Sequence, residues 1–278
     1  MKKIIFTLLL SLCFISASAV QKDTIRILSI GNSFSEDAVE DHLYSVASEA
    51  GYVFIIGNMF IPGCSLETHA ANVRTDAPDY SYRKIDAQGV KTVTWGDPLS
   101  KAVKDEEWDI VTLQQASHFS GIRDTYIPYL QELHDHISKE CPSAEIIFHM
   151  TWAYDVNTIH HAFADYGKDQ IRMYESILDA VGYAVEKVGI EKIIPCGTAV
   201  QNARTTILGD KVNRDDGFHL SLPHGRYLAA CVWFEFLTGR KVVGNPYCAD
   251  GMSPQECRLA QKAAHAAVKR PMKITKIK

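Results

Sequence analysis

The sequence holds no block of like charge, no CxxC pair and no repeat at the periods of solenoid proteins, and each absence narrows what it can be. Lys and Arg number 29 against 33 Asp and Glu, a formal net charge of −4. A nucleic-acid or membrane-surface binder is usually basic, so neither is expected as a partner. Without CxxC or zinc-like spacing, a structural zinc site has no sequence support. No linker-like stretch divides the chain, and no second apolar span follows the first.

That first span is at the amino end. Lys2 and Lys3 precede the apolar run IIFTLLLSLCFI, and Ala17-Ser18-Ala19 supplies small residues at a cleavage position. The run is shorter than the roughly 20 apolar residues that a membrane-spanning helix needs. Leu12 is bulky where a lipid-anchoring signal wants a small residue before Cys13. The expectation is a signal peptide over residues 1–19 and one exported domain over 20–278, periplasmic or extracellular, with no stable membrane insertion after cleavage. Six cysteines remain. Cys248 and Cys257 are close in sequence near a turn, which leaves a local bridge open. Cys231 sits in an apolar helical stretch and reads as a small buried hydrophobe.

From residue 25 the pattern alternates strand and helix. IRILSIG reads as a strand, followed by a helix from about Ser35 to Ala50 with Val39, Leu43, Val46 and Ala50 at helical spacing. YVFIIGNMF, WDIVTLQ, EIIFHM and KIIP read as further strands. The helix between the last two places Ile171, Tyr174, Ile177, Val181, Val185 and Val188 on one face. Residues 79–95 alternate around a turn and read as an inserted β-hairpin outside the main sheet. The alternation predicts an α/β fold with a parallel sheet of about five strands, covered by helices on both faces. Ligands in such folds bind beyond the carboxyl ends of the strands. Ser33, Gly63, Gln114 with Gln115, and Trp152 follow four successive strands and should meet at that rim.

A serine in a strand-to-helix turn is exposed for attack, but it needs a base and the base needs an orienting partner. RDDGFHLSLPHG offers both: Asp216 and His219 are three residues apart in one loop, with Asp215 as the alternative carboxylate. His160-His161 with Asp155 could suggest a metal, but adjacent histidines usually point apart, and no metal is expected. Aromatic Trp152 and Tyr154, just past strand four, would suit stacking on a sugar ring.

GNSFS after the first strand, paired with DGFHLS near the carboxyl end, resembles the SGNH (GDSL-like) hydrolase superfamily, and most of all its uncharacterised exported branch with GNSFS as the first block. The resemblance covers nearly the whole mature chain. It implies a flavodoxin-like three-layer α/β/α fold and ester hydrolysis with no metal and no cofactor, with Ser33 as nucleophile, His219 as base and Asp216 as orienter. It also implies an oxyanion hole from the amides of Ser33 and Gly63. The family's third block normally supplies an asparagine; here WDIVTLQQAS departs, and Gln115 is the favoured substitute donor. Asn32 and Gln114 join Trp152 and Tyr154 as candidate substrate contacts. The expected function is an exported serine esterase on a small-molecule or glycan ester, with carbohydrate O-deacetylation as its finer form. The rival readings are a catalytically weak or inactive glycan-binding or cell-envelope module and a lipid or thioester hydrolase.

Overall fold

The computed structural model describes residues 23–278; the expected signal peptide lies outside them. The strands are β1 (Thr24–Gly31), β2 (Val53–Phe60), β3 (Tyr80–Ile85), β4 (Lys91–Asp97), β5 (Ile110–Leu113), β6 (Glu145–His149) and β7 (Ile193–Ile194). They form one sheet in the order β4-β3-β2-β1-β5-β6-β7. The five strands from β2 to β7 in that order are parallel, the flavodoxin-like arrangement. β3 and β4 are antiparallel. They correct the reading of residues 79–95: the hairpin continues the main sheet at its β2 edge rather than standing outside it. An alternating segment fits either place, and only pairing decides. β4 forms one edge of the sheet and β7 the other, and Trp95 on β4 is 74% exposed.

The helices are α1 (Ser33–Val39), α2 (Leu43–Glu49), α3 (Leu66–Thr75), α4 (Leu99–Ala102), α5 (Tyr129–Glu140), α6 (Gln170–Val188), α7 (Cys196–Arg204), α8 (Tyr227–Thr238) and α9 (Pro254–Lys269). α3 packs on α5 and α5 on α6; α1 and α2 pack on α8, which packs on α7 and α9. α8 is apolar nearly all round because it is enclosed: Tyr227 to Glu235 are all buried. Among the described residues, no helix is long and apolar enough to cross a membrane. Cys248 and Cys257 form a disulfide with Cα atoms 5.8 Å apart, while Cys64, Cys141, Cys196 and Cys231 are free and buried.

The single helix expected over residues 35–50 is two helices, α1 and α2, separated at residues 40–42. His42 is held there from outside the segment, by Tyr247 Oη at 2.8 Å and the Leu222 carbonyl at 2.8 Å. Helical periodicity is blind to such tertiary anchors. The helix also begins earlier than its apolar pattern suggests, at Ser33, because Asn32 caps it: Asn32 Oδ1 accepts from the Phe34 N–H at 2.9 Å.

Candidate active site

β1 lies between β2 and β5, so the chain crosses to opposite sides of β1, and a crevice opens at the carboxyl ends of these strands. Ser33 occupies the first turn of α1 at that crevice. It is partly exposed, whereas Asn32, Phe34 and Ser35 are buried. Phe34 fixes the start of α1 by stacking on Trp152, ring centroids 4.2 Å apart and planes 4° from parallel.

A chain of amides ties the strand ends together beneath Ser33. Asn32 Nδ2 donates to the Cys64 carbonyl at 2.9 Å, and Asn32 Oδ1 accepts from Gln114 Nε2 at 2.8 Å. Gln114 Oε1 in turn lies 2.9 Å from His149 Nδ1. Burial pushes His149 down to about 3, so its imidazole is neutral and Nδ1 can carry the donated proton. Asn32 and Gln114 therefore serve as connectors in the floor, buried and engaged with the protein, rather than as the substrate contacts expected of them.

The residues after β7 return to the same mouth. Asp216 Oδ1 accepts the N–H groups of Phe218 and His219, each at 3.0 Å, and Asp216 Oδ2 lies 2.8 Å from His219 Nδ1. Burial acts to raise the Asp216 pKa, but the Phe218 N–H and the two His219 contacts outweigh it and hold the carboxyl below its ordinary range. Gly217 makes this turn possible. Its φ is +74°, and a Cβ there would stand 2.5 Å from Thr158 Cα. The loop after β6 buttresses the turn: Asp155 N–H donates to Gly217 O at 2.7 Å and Thr158 Oγ1 to Asp216 O at 2.9 Å.

Ser33, Gly63 and His219 line one cavity of about 350 Å³, together with Ser117, His118, His160, Phe218, Arg214 and the Glu36–Asp37–Arg226 cluster. Gly63 has φ +62°, in the turn after β2. Among the described residues, neither the Ser33 nor the Gly63 N–H donates to a protein acceptor. On the far wall His160 lies 6.0 Å from His118 and 4.9 Å from Phe218, centroid to centroid. Burial first, then neighbouring His161, keeps both His118 and His160 below the ordinary histidine pKa, so the wall is uncharged at neutral pH.

Three sequence expectations are corrected. Gln115 does not line the cavity. Its Nε2 donates to Thr125 O and Oγ1 at 2.9 and 3.1 Å, and its Oε1 accepts from Leu66 and Ala116 N–H at 3.0 and 2.8 Å. Trp152 and Tyr154 are 0% exposed and present no rim surface. Trp152 instead supports the cavity from below, its Nε1 donating to Phe218 O at 2.8 Å, and Tyr154 Oη pairs with Ser117 Oγ at 2.8 Å. The aromatic rings that do line the cavity are the half-buried Phe218, His118 and His160. Adjacent His160 and His161 do not point apart either: their rings stack, 5.0 Å between centroids. Ser117 carried no local signal and His160 only that of a metal candidate, since both reach the cavity of Ser33 only through folding.

No curated protein matches the chain. Among solved structures, a DUF4886 family protein from Bacteroides uniformis ATCC 8492 is 50% identical with a TM-score of 0.90, covering 92% of this chain and 98% of its own. A protein described as a GDSL-like lipase from Parabacteroides merdae ATCC 43184 aligns with a TM-score of 0.51 at 15% identity, over 78% of this chain and 97% of its own, a likeness of fold. The fold implied by the GNSFS and DGFHLS blocks is thus the fold found. Residues 26–267 match the family described as a domain of unknown function, DUF4886, and the chain belongs to that family.

Proposed function

We propose that this protein is an exported serine ester hydrolase of the SGNH type. The observation that carries the reading is the Asp216–His219 pair, 2.8 Å apart, opening on the same cavity as Ser33 and the Gly63 turn. With Nδ1–H donated to Asp216, His219 presents Nε2 as a base. His219 takes the Ser33 proton as Oγ attacks the ester carbonyl. The free N–H groups of Ser33 and Gly63 hold the oxygen that becomes negative. His219 returns the proton to the leaving alcohol, and water repeats the sequence on the acyl-enzyme to release the acid.

The finer reading is removal of a small acyl group, such as acetyl, from a carbohydrate. The modest cavity volume supports a short acyl group. The uncharged wall of Phe218, His118 and His160 supports a neutral, ring-shaped alcohol stacking beside the triad. Export is supported by the basic-apolar-small order of residues 2–19 and by the Cys248–Cys257 disulfide, which suits an oxidising compartment.

The test is turnover of an aryl acetate and of acetylated glycans by the native chain and by Ser33→Ala, with a fluorophosphonate to trap the nucleophile. Labelling at Ser33 and loss of turnover in the variant are expected. Equal turnover by both proteins removes Ser33 from the mechanism. Glycan binding with neither labelling nor turnover leaves a non-catalytic module in its place.

A further inference from the structure

The loop that carries His219 is stapled mostly to itself and to the loop after β6. Arg214 N–H donates to His219 O at 2.9 Å, Asp216 holds the Phe218 and His219 N–H groups, and residues 155–158 hold Asp216 and Gly217. None of these bonds reaches the helix that carries Ser33. One other does. The N–H of Leu220, the residue after His219, donates to Asp37 Oδ2 at 2.7 Å. Asp37 lies one turn along α1 from Ser33. Among the described residues this is the only hydrogen bond between α1 and residues 213–221.

Asp37 is placed at a cost. Its side chain is 0% exposed, and burial acts to raise its pKa strongly. Arg226 Nη2 sits 2.6 Å from Asp37 Oδ1 as a charge contact, off the line of a hydrogen bond, while Arg226 Nη1 reaches Asp41 at 2.6 Å. A leucine or alanine would fill this position without burying a carboxyl. What an apolar residue would not provide is an acceptor for Leu220.

We infer that Asp37 is a positioning residue for the triad: its carboxyl oxygen sets the distance between the Ser33 helix and the His219 loop by accepting the Leu220 N–H. This rests on the Ser33–His219–Asp216 reading and deepens it. A misplacement of about 1 Å between reacting groups can cost roughly a hundredfold in rate. The clamp therefore governs kcat, while the substrate, which meets the cavity wall, keeps its KM.

The experiment compares Asp37→Asn with Asp37→Leu. Both are uncharged and branch at Cγ as aspartate does, leucine being the bulkier; only asparagine keeps an acceptor. Asp37→Leu is expected to lose about a hundredfold in kcat with KM within about threefold of the native value. Asp37→Asn should retain kcat within about tenfold, and exchange at Leu220 separates this rescue from an effect of side-chain size. Hydrogen–deuterium exchange at Leu220, read by mass spectrometry, should rise in the leucine variant and stay near native in the asparagine variant. Equal kcat in the two variants overturns the proposal, as does native exchange at Leu220 in Asp37→Leu. If the leucine variant fails to fold, Asp37→Ala takes its place, and faster Leu220 exchange in Asp37→Asn than in the native chain is then sufficient to refute the clamp. The exchange arm needs no turnover, so it separates failure of the clamp from failure of the esterase reading.

Discussion

Replacing Asp216 by asparagine isolates the proton path from the fold. The carboxylate has two jobs: Oδ1 caps two backbone N–H groups at 3.0 Å, and Oδ2 faces His219 Nδ1 at 2.8 Å. Asparagine can keep the first by leaving its carbonyl oxygen on the backbone. Its NH2 then faces His219 and donates, so Nδ1 must accept, and the ring proton moves to Nε2. The imidazole can no longer take the Ser33 proton. The flipped amide would restore the tautomer but aim NH2 at two N–H donors. That forfeits two bonds of about 1 kcal/mol each and leaves the donors unpaired, so the unflipped form wins. The expected loss is roughly ten-thousandfold in kcat, the scale seen when a triad base is held in the wrong tautomer, or about 5 kcal/mol of barrier. Thermal unfolding should shift little, by the equivalent of about 1 kcal/mol. The assay is kcat and kcat/KM on an aryl acetate beside a melting curve. Asp216→Asn turnover within tenfold of native, in a folded protein, would refute the Asp216–His219 proton path.

Two further outcomes follow from buried polar groups. Asp37 is pushed by burial up to about 7 from the usual 3.8, against the pull of Arg226, the Leu220 N–H and the more distant Arg214, with Glu36 beside it adding to the rise. The folded protein then holds this proton longer than the unfolded chain, so the stability it contributes is full below about pH 4 and is lost as pH rises through 7. Denaturant melts of native and Asp37→Asn proteins should show the native chain losing ground to the variant between those pH values; a constant difference would contradict it. Gln115→Ala removes four hydrogen bonds that join the strand-end loops at Leu66, Ala116 and Thr125, and should cost about 2–4 kcal/mol of stability by chemical denaturation. A change below about 0.5 kcal/mol would deny it that role.

The alternation of apolar segments made the α/β layers and the parallel strands legible, because each strand and helix is long enough to show its own period. Ser33, Asp216 and His219 were singled out by the GNSFS and DGFHLS blocks, and because Asp216 and His219 stand three apart in one loop, their pairing at 2.8 Å forms locally. Gln115 was misread for a definite reason. β5 ends at Leu113, so strand alternation no longer decides where residue 115 points. Trp152 and Tyr154 were misread likewise: β6 ends at His149, and the chain then dives beneath Phe218 instead of following the rim. Asp37 carried no signal, since a buried acid in an acidic helix start looks like any other first-turn carboxylate. Its partner Leu220 stands 183 residues away.

The run of amides from Cys64 through Asn32 and Gln114 to His149 has a bearing on how this pocket can diversify. Three strand tips share one continuous splice, so none can shift without dragging the others. Change that spares this floor therefore falls on the opposite bank, at His118, His160 and Phe218, where side chains can be exchanged without unpicking the seam under Ser33.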